Sequence, residues 1–126
     1  LATTTFLLTG AIITLNKVAT FTPPLGYLGT NPYVPGGTIT FTITYINIGD
    51  AKGTNTIITD FIPDNTYYAS QTLRIGTIGS TYDTAGTRTD TFDTDNAEFD
   101  NNKAIFRIGE VPIAEGGRVY FRVYVR

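Results

Sequence analysis

Cysteine, histidine, methionine and tryptophan are all missing from this 126-residue chain. Without cysteine there is no disulfide, no thiolate nucleophile and no cysteine-based zinc site. Without histidine the commonest general base and the commonest transition-metal ligand are gone. Serine occurs only at Ser70 and Ser80, and neither lies in a G-x-S-x-G elbow. No glycine motif that cradles phosphate or a dinucleotide is present. Carboxylates remain, so residue type alone allows a glycosidase-like pair, but nothing marks a cleft to hold one. The chain therefore reads as non-enzymatic. Charge is scarce too: nine basic against 11 acidic residues leave a net −2. That is neither the footprint of a nucleic-acid binder nor a polybasic membrane anchor. No segment is apolar for long enough to cross a bilayer as a helix, and no Asn lies in a glycosylation sequon.

What is present favours strands. Threonine makes up about a fifth of the residues, well above ordinary usage, and Ile, Val, Phe and Tyr supply most of the bulk. In Thr38–Tyr45 every even position is Thr and every odd one is large. This is the period of a strand with one buried and one wet face. The C-terminal run repeats the pattern: Val119, Phe121, Val123 and Val125 are expected to face in. Arg118, Arg122 and Arg126 are expected to face out, with Tyr120 and Tyr124 between them. Further strands are expected over Ala2–Thr9, Ala11–Thr22, Thr54–Thr59, Tyr67–Ile75, Thr87–Phe92 and Ala104–Ile108. They are separated by turn signals such as Pro35-Gly36-Gly37, Gly49-Asp50, Pro63-Asp64-Asn65 and Glu115-Gly116-Gly117. No window carries a helical period. Many short strands at regular spacing indicate an all-β sandwich.

Two consecutive segments, Pro35–Gly49 and Thr54–Tyr68, carry a resemblance. They resemble the repeated prokaryotic surface domain known as a domain of unknown function, family eleven, with Gly37 standing where the family has Asp. The likeness extends weakly over about Ala11 to Arg126 and implies an immunoglobulin-like β-sandwich on a cell surface, without catalytic residues. Within that pattern Asn47 and Gly49 are expected to end a strand, Gly49 through a positive φ, and Asp60 to hold the turn at Pro63.

Residues 1–10 are surplus to the pattern, which divides the chain into an N-terminal strand and a sandwich over residues 11–126. The first ten residues are uncharged apart from the terminus, prone to β-structure, and apolar at Phe6, Leu7 and Leu8, with Gly10 as a hinge. An uncharged apolar strand left unpaired is an aggregation hazard. It is expected either to continue into Ala11–Thr22 within its own subunit or to be donated to the next one, as in donor-strand-exchanged pilins. Donation between identical subunits makes an open, head-to-tail polymer. In it Phe6 and Leu8 would fill the acceptor, Ala2 and Thr4 would share their face, and Leu7 would point the other way.

Two loops stand out. The acidic run from Asp90 to Asn102 offers hard oxygen ligands suited to Ca²⁺: Asp93, Asp95 and Asp100, helped by Asp90 and Asn101. It lacks the EF-hand glycine and terminal glutamate, and a solvated Asp/Asn turn is the alternative. The loop Phe21–Tyr33 is rich in Pro, Gly and Tyr, and Tyr27 and Tyr33 are candidate interface anchors. The first reading is a secreted filament subunit, freed of a signal peptide since the chain starts at Leu1, whose partners are copies of itself. A monomeric adhesion or spacer module and a carbohydrate-binding module are the alternatives.

Overall fold

The computed structural model describes residues 10–31 and 33–126. Among these residues nine strands run in chain order: β1 (Ile13–Thr22), β2 (Thr38–Asn47), β3 (Gly53–Phe61), β4 (Thr66–Tyr68), β5 (Arg74–Thr77), β6 (Gly86–Thr87), β7 (Ala97–Asp100), β8 (Lys103–Val111) and β9 (Gly116–Val125). They form two antiparallel sheets, and no helix occurs among the described residues. The larger, six-stranded sheet has the order β1-β2-β9-β5-β6, with β4 also paired to β9; the smaller has the order β3-β8-β7. The sheets pack as a β-sandwich. In the constant-type immunoglobulin order the last strand shares a sheet with the third. Here β9 instead lies between β2 and β5, in the sheet opposite β3.

The alternating runs behave as their period dictates. Ile39, Phe41, Ile43 and Tyr45 are buried, as are Val119, Phe121, Val123 and Val125. Opposed residues of an antiparallel pair share a face, so the register Phe41↔Phe121 and Ile43↔Val119 lines up a core stripe. The aromatic rings of Phe41 and Phe121 lie 5.1 Å apart. From the smaller sheet, Ile58, Ala104, Phe106 and Ala97 close the core.

Several expectations need correction. The span Tyr67–Ile75 is two strands rather than one. Gln71 takes a φ of 64°, and the β9 edge is satisfied there by a side chain, Arg122 N–H donating to Thr72 Oγ1 at 3.0 Å. Of Thr87–Phe92 only Thr87 is in a strand, while Ala97–Asp100, inside the acidic run, is one. Gly116 and Gly117 lie within β9 rather than in a turn. Asp60 does not hold the Pro63 turn: its carboxylate pairs with Lys17 Nζ at 2.5 Å. Gly49 has no positive φ. It is required because a Cβ there would stand 2.2 Å from the Gly10 carbonyl oxygen. Gly36 does need its freedom: with φ of 86° it follows Pro35 in a turn closed by Gly37 N–H to Val34 O at 3.0 Å, the type II arrangement.

Two polar side chains sit where the alternation hides them. Asn47 is 0% exposed. Its Nδ2 donates to the carbonyls of Ala51 and Val111 at 2.8 and 3.0 Å, and its Oδ1 accepts from Gly49 N–H and Ile12 N–H at 2.9 and 3.2 Å. One amide thus joins β1, the β2–β3 loop and the end of β8. Tyr120, expected on the wet face, is 1% exposed. The segment after β5 folds over it, and its hydroxyl lies 2.7 Å from Ser80 Oγ and 2.8 Å from Ser80 O.

Candidate functional site

The unequal sheets leave part of one face bare. In the register of β1 with β2, Leu15 opposes Tyr45, Lys17 opposes Ile43, Ala19 opposes Phe41 and Phe21 opposes Ile39. Those β2 residues all face the core, so these four β1 residues face the same way. Only Phe21 and Ile13, at the two ends of the strand, pack against the core. Leu15 is 57% exposed, and Lys17 and Ala19 are exposed as well. The cause lies opposite: among the described residues β3 is the edge of a three-stranded sheet and pairs with β8 alone. A seam therefore runs between β1 and β3, with an inward-looking apolar face on one wall and, on the other, a strand edge that no described residue pairs.

The seam is fastened at two points. Near its start the Ile13 side chain reaches Gly53. Halfway along, Lys17 crosses to Asp60 at 2.5 Å while its ammonium sits 4.4 Å above the Phe41 ring. Beyond this bridge the seam widens into a cavity of about 350 Å³, lined by Ala19, Ile39, Phe41 and Val125 on one wall and the Pro63–Thr66 turn on the other. Tyr33, one of the two tyrosines singled out by sequence, borders this cavity. Its ring stands edge-on to Phe21 at 5.4 Å. Tyr27 does not join it: its hydroxyl turns back on its own loop, 3.4 Å from the Asn31 carbonyl. Leu25 and Leu28 are the fully exposed apolar residues of that loop. The donor-strand residues Ala2, Thr4, Phe6, Leu7 and Leu8 lie outside the described residues. Gly10, where they join the described chain, is held at the β2–β3 loop: its N–H donates to Asp50 Oδ1 at 2.7 Å.

The four aspartates expected to bind calcium are divided by the fold. Asp90 accepts from the Tyr68 hydroxyl at 2.6 Å and from Gln71 N–H at 2.8 Å. Asp93 accepts from Asp95 N–H at 2.9 Å and from the Thr89 hydroxyl. Asp95 accepts from Thr89 N–H at 2.6 Å and Ala97 N–H at 3.2 Å. Asp100 closes the β7–β8 hairpin, whose two-residue turn, Asn101-Asn102, has φ of 50° and 61° and follows the type I′ pattern. Among the described residues no three acidic side chains form a group that could hold a metal ion. In this arrangement the loop carboxylates hold backbone N–H groups and the hydroxyls of Tyr68 and Thr89. Burial raises the Asp95 carboxyl, but the N–H groups of Thr89 and Ala97 and neighbouring hydrogen bonds outweigh it and bring it below the usual 3.8.

Tyr68 ties this loop to the core, its ring stacked on Phe99 at 4.0 Å. Burial, and next its bond to Asp90, raise its phenol well above the usual 10. A raised pKa stabilises the fold below pH 10, and that contribution is lost as the pH climbs through the folded value. An ultraviolet titration of the eight tyrosines is therefore expected to show, beside the Tyr45 hydroxyl, which burial also raises, the late-ionising phenol of Tyr68. In Asp90→Asn that phenol is expected to ionise earlier, since the negative neighbour is gone but the burial remains.

Fold and seam together define an all-β sandwich with one incompletely covered face. No protein-family model, curated protein or solved structure matches the chain.

Proposed function

We propose that this chain is the structural subunit of an extracellular filament, joined by donation of the N-terminal segment of one copy into the β1–β3 seam of the next. The observation that supports the reading is the exposed, core-facing side of β1 beside the edge of β3, which no described residue pairs. A strand added to β3 would widen the smaller sheet and cover Leu15 and Ala19. Residues 1–9 supply nine uncharged, β-prone residues, about 30 Å when extended, which matches the nine residues of β3. β-Augmentation supplies affinity through main-chain hydrogen bonds and specificity through alternate side chains. The cavity beside Ala19 and Tyr33 fits one such apolar side chain. The resemblance of residues 35–68 to a prokaryotic surface domain supports the extracellular part of this reading. The likeness to an immunoglobulin domain is then one of architecture, not of strand order.

The test is assembly by the purified protein, followed by electron microscopy and sedimentation. The full chain is expected to form filaments, and a variant lacking residues 1–9 to remain monomeric and folded by circular dichroism. A synthetic peptide of residues 1–9, added in excess, is expected to bind the truncated subunit and raise its Tm by mass action. Filaments formed equally well without the segment would end the proposal.

A further inference from the structure

The outer face of the larger sheet, turned away from the seam, carries a groove of about 370 Å³, at the small end of the range for ligand pockets. Its floor is a threonine ladder, Thr20 and Thr22 on β1 and Thr40 and Thr42 on β2. Register places Thr20 against Thr40 and Thr40 against Arg122, and Thr42 against Tyr120. The far wall is the segment Ser80–Asp83, which covers Tyr120.

Two arginines reach into this groove from β9, four residues apart and so roughly 14 Å along the strand. Each is fixed in place. Arg122 Nε donates to Thr40 Oγ1 at 2.9 Å, and its guanidinium stacks 3.6 Å from the Tyr82 ring. Arg118 Nε donates to Thr44 Oγ1 at 3.2 Å and its Nη1 to Ser80 O at 2.7 Å. Arg74 backs them, its guanidinium 4.0 Å from the same Tyr82 ring and its Nη1 donating to Tyr82 O at 2.8 Å. Among the described residues the ion pairs involve Lys17, Lys52 and Arg107, and none of these three arginines is matched by a carboxylate. A protein of net −2 thus holds three preorganised guanidinium groups on one face. The only acid lining the groove is the exposed Asp83.

We propose that this groove binds a carboxylated sugar, such as a uronate unit of an acidic polysaccharide. The arginines match a carboxylate, since a planar guanidinium recognises it through paired N–H donors. The threonine floor matches ring hydroxyls, because each Thr hydroxyl both donates and accepts. A bare carboxylate side chain would use the arginines and leave the hydroxyl floor idle, which favours the sugar over a peptide. On a filament the groove would recur with every subunit, and weak single sites would add up through multivalency.

Calorimetric titration of the full chain tests this, with oligogalacturonate as the probe and neutral oligogalactose as its control. The acidic oligomer is expected to bind and the neutral one not. Arg122→Gln and Arg118→Gln are each expected to weaken binding about tenfold or more, the usual loss for a charge-assisted hydrogen bond. Because these arginines also brace Tyr82 and Ser80, two milder variants keep the test decisive. Asp83→Asn is expected to tighten binding a few-fold by removing a like charge, and Thr42→Val to weaken it. Equal binding of the neutral oligomer would overturn the proposal, as would unchanged affinity in both Asp83→Asn and Thr42→Val. Preferential binding of a peptide spanning residues 90–100 would also overturn it and make the groove a contact for another copy's acidic loop.

Discussion

Replacing Asn47 with alanine is expected to lower stability by about 3–5 kcal/mol, the largest loss of any single polar side chain in the molecule. Its amide makes four hydrogen bonds at a position without solvent exposure. Removing it strands two carbonyls, of Ala51 and Val111, and two N–H groups, of Ile12 and Gly49. The bond to the Val111 carbonyl is buried and the other three are partly so; an orphaned buried group costs about 1–3 kcal/mol, less whatever water can enter the void. For a chain of this size that corresponds to a fall in Tm of about 15 °C. Asn47→Asp makes the expectation sharper. The carboxylate keeps an acceptor for Gly49 and Ile12, loses both donors, and carries a charge into a buried site. It is expected to be at least as damaging as alanine at neutral pH and to recover part of its stability in acid, where the carboxyl protonates and can donate again. Chemical denaturation of Asn47→Ala and Asn47→Asp at pH 7 and pH 4 checks both points; equal losses at the two pH values for the Asp variant would show that neither the buried charge nor a regained donor sets its stability.

Leu15→Glu should have the opposite profile, little change in the monomer and loss of the polymer. Leu15 is already more than half exposed on an edge strand, so monomer stability should shift by less than about 1 kcal/mol. In a filament built through the seam the same side chain is covered. Losing its burial removes about 2 kcal/mol per contact, and desolvating a carboxylate adds more. The concentration needed for assembly is then expected to rise by at least about 100-fold. Sedimentation at a series of concentrations measures it. Val18→Glu is the control, since Val18 is as exposed as its neighbour but opposes Thr42 on the other face of the sheet. If Val18→Glu were as disruptive as Leu15→Glu, assembly would run through the outer face and not the seam.

The core was legible wherever the alternation was strict. Odd positions from Ile39 to Tyr45, and Val119, Phe121 and Val123, declare their face because a pleated strand has no other choice. Legibility failed where a long-range partner overrides local pattern. Tyr120 reads as exposed, since only the fold of residues 78–85 over the sheet buries it. The strand Ala97–Asp100 sits inside a run rich in Asp and Asn, which favour turns, and it is held by Phe99 stacking on Tyr68 and Glu98 meeting Arg107 at 2.6 Å. The seam could not be read from β1 at all. Its Leu15, Lys17 and Ala19 look like an ordinary half-buried face, and whether that face is covered depends on how many strands the opposite sheet has. The acidic run suggests a cation site through charge and spacing, which are local. The backbone N–H groups that claim Asp90 and Asp95 come into view only with the loop folded.

The seam has a further consequence for any polymer built through it. What a subunit lacks lies along its flank, between β1 and β3, while the chain that would fill a neighbour's gap departs from Gly10, at the β2–β3 loop. The two are different in kind, so such a polymer is a one-way street. One terminus always shows a vacant flank and the other an unspent strand, and neither can close on itself. Truncated subunits lacking residues 1–9 would then act as chain terminators at one end only, leaving growth at the other untouched.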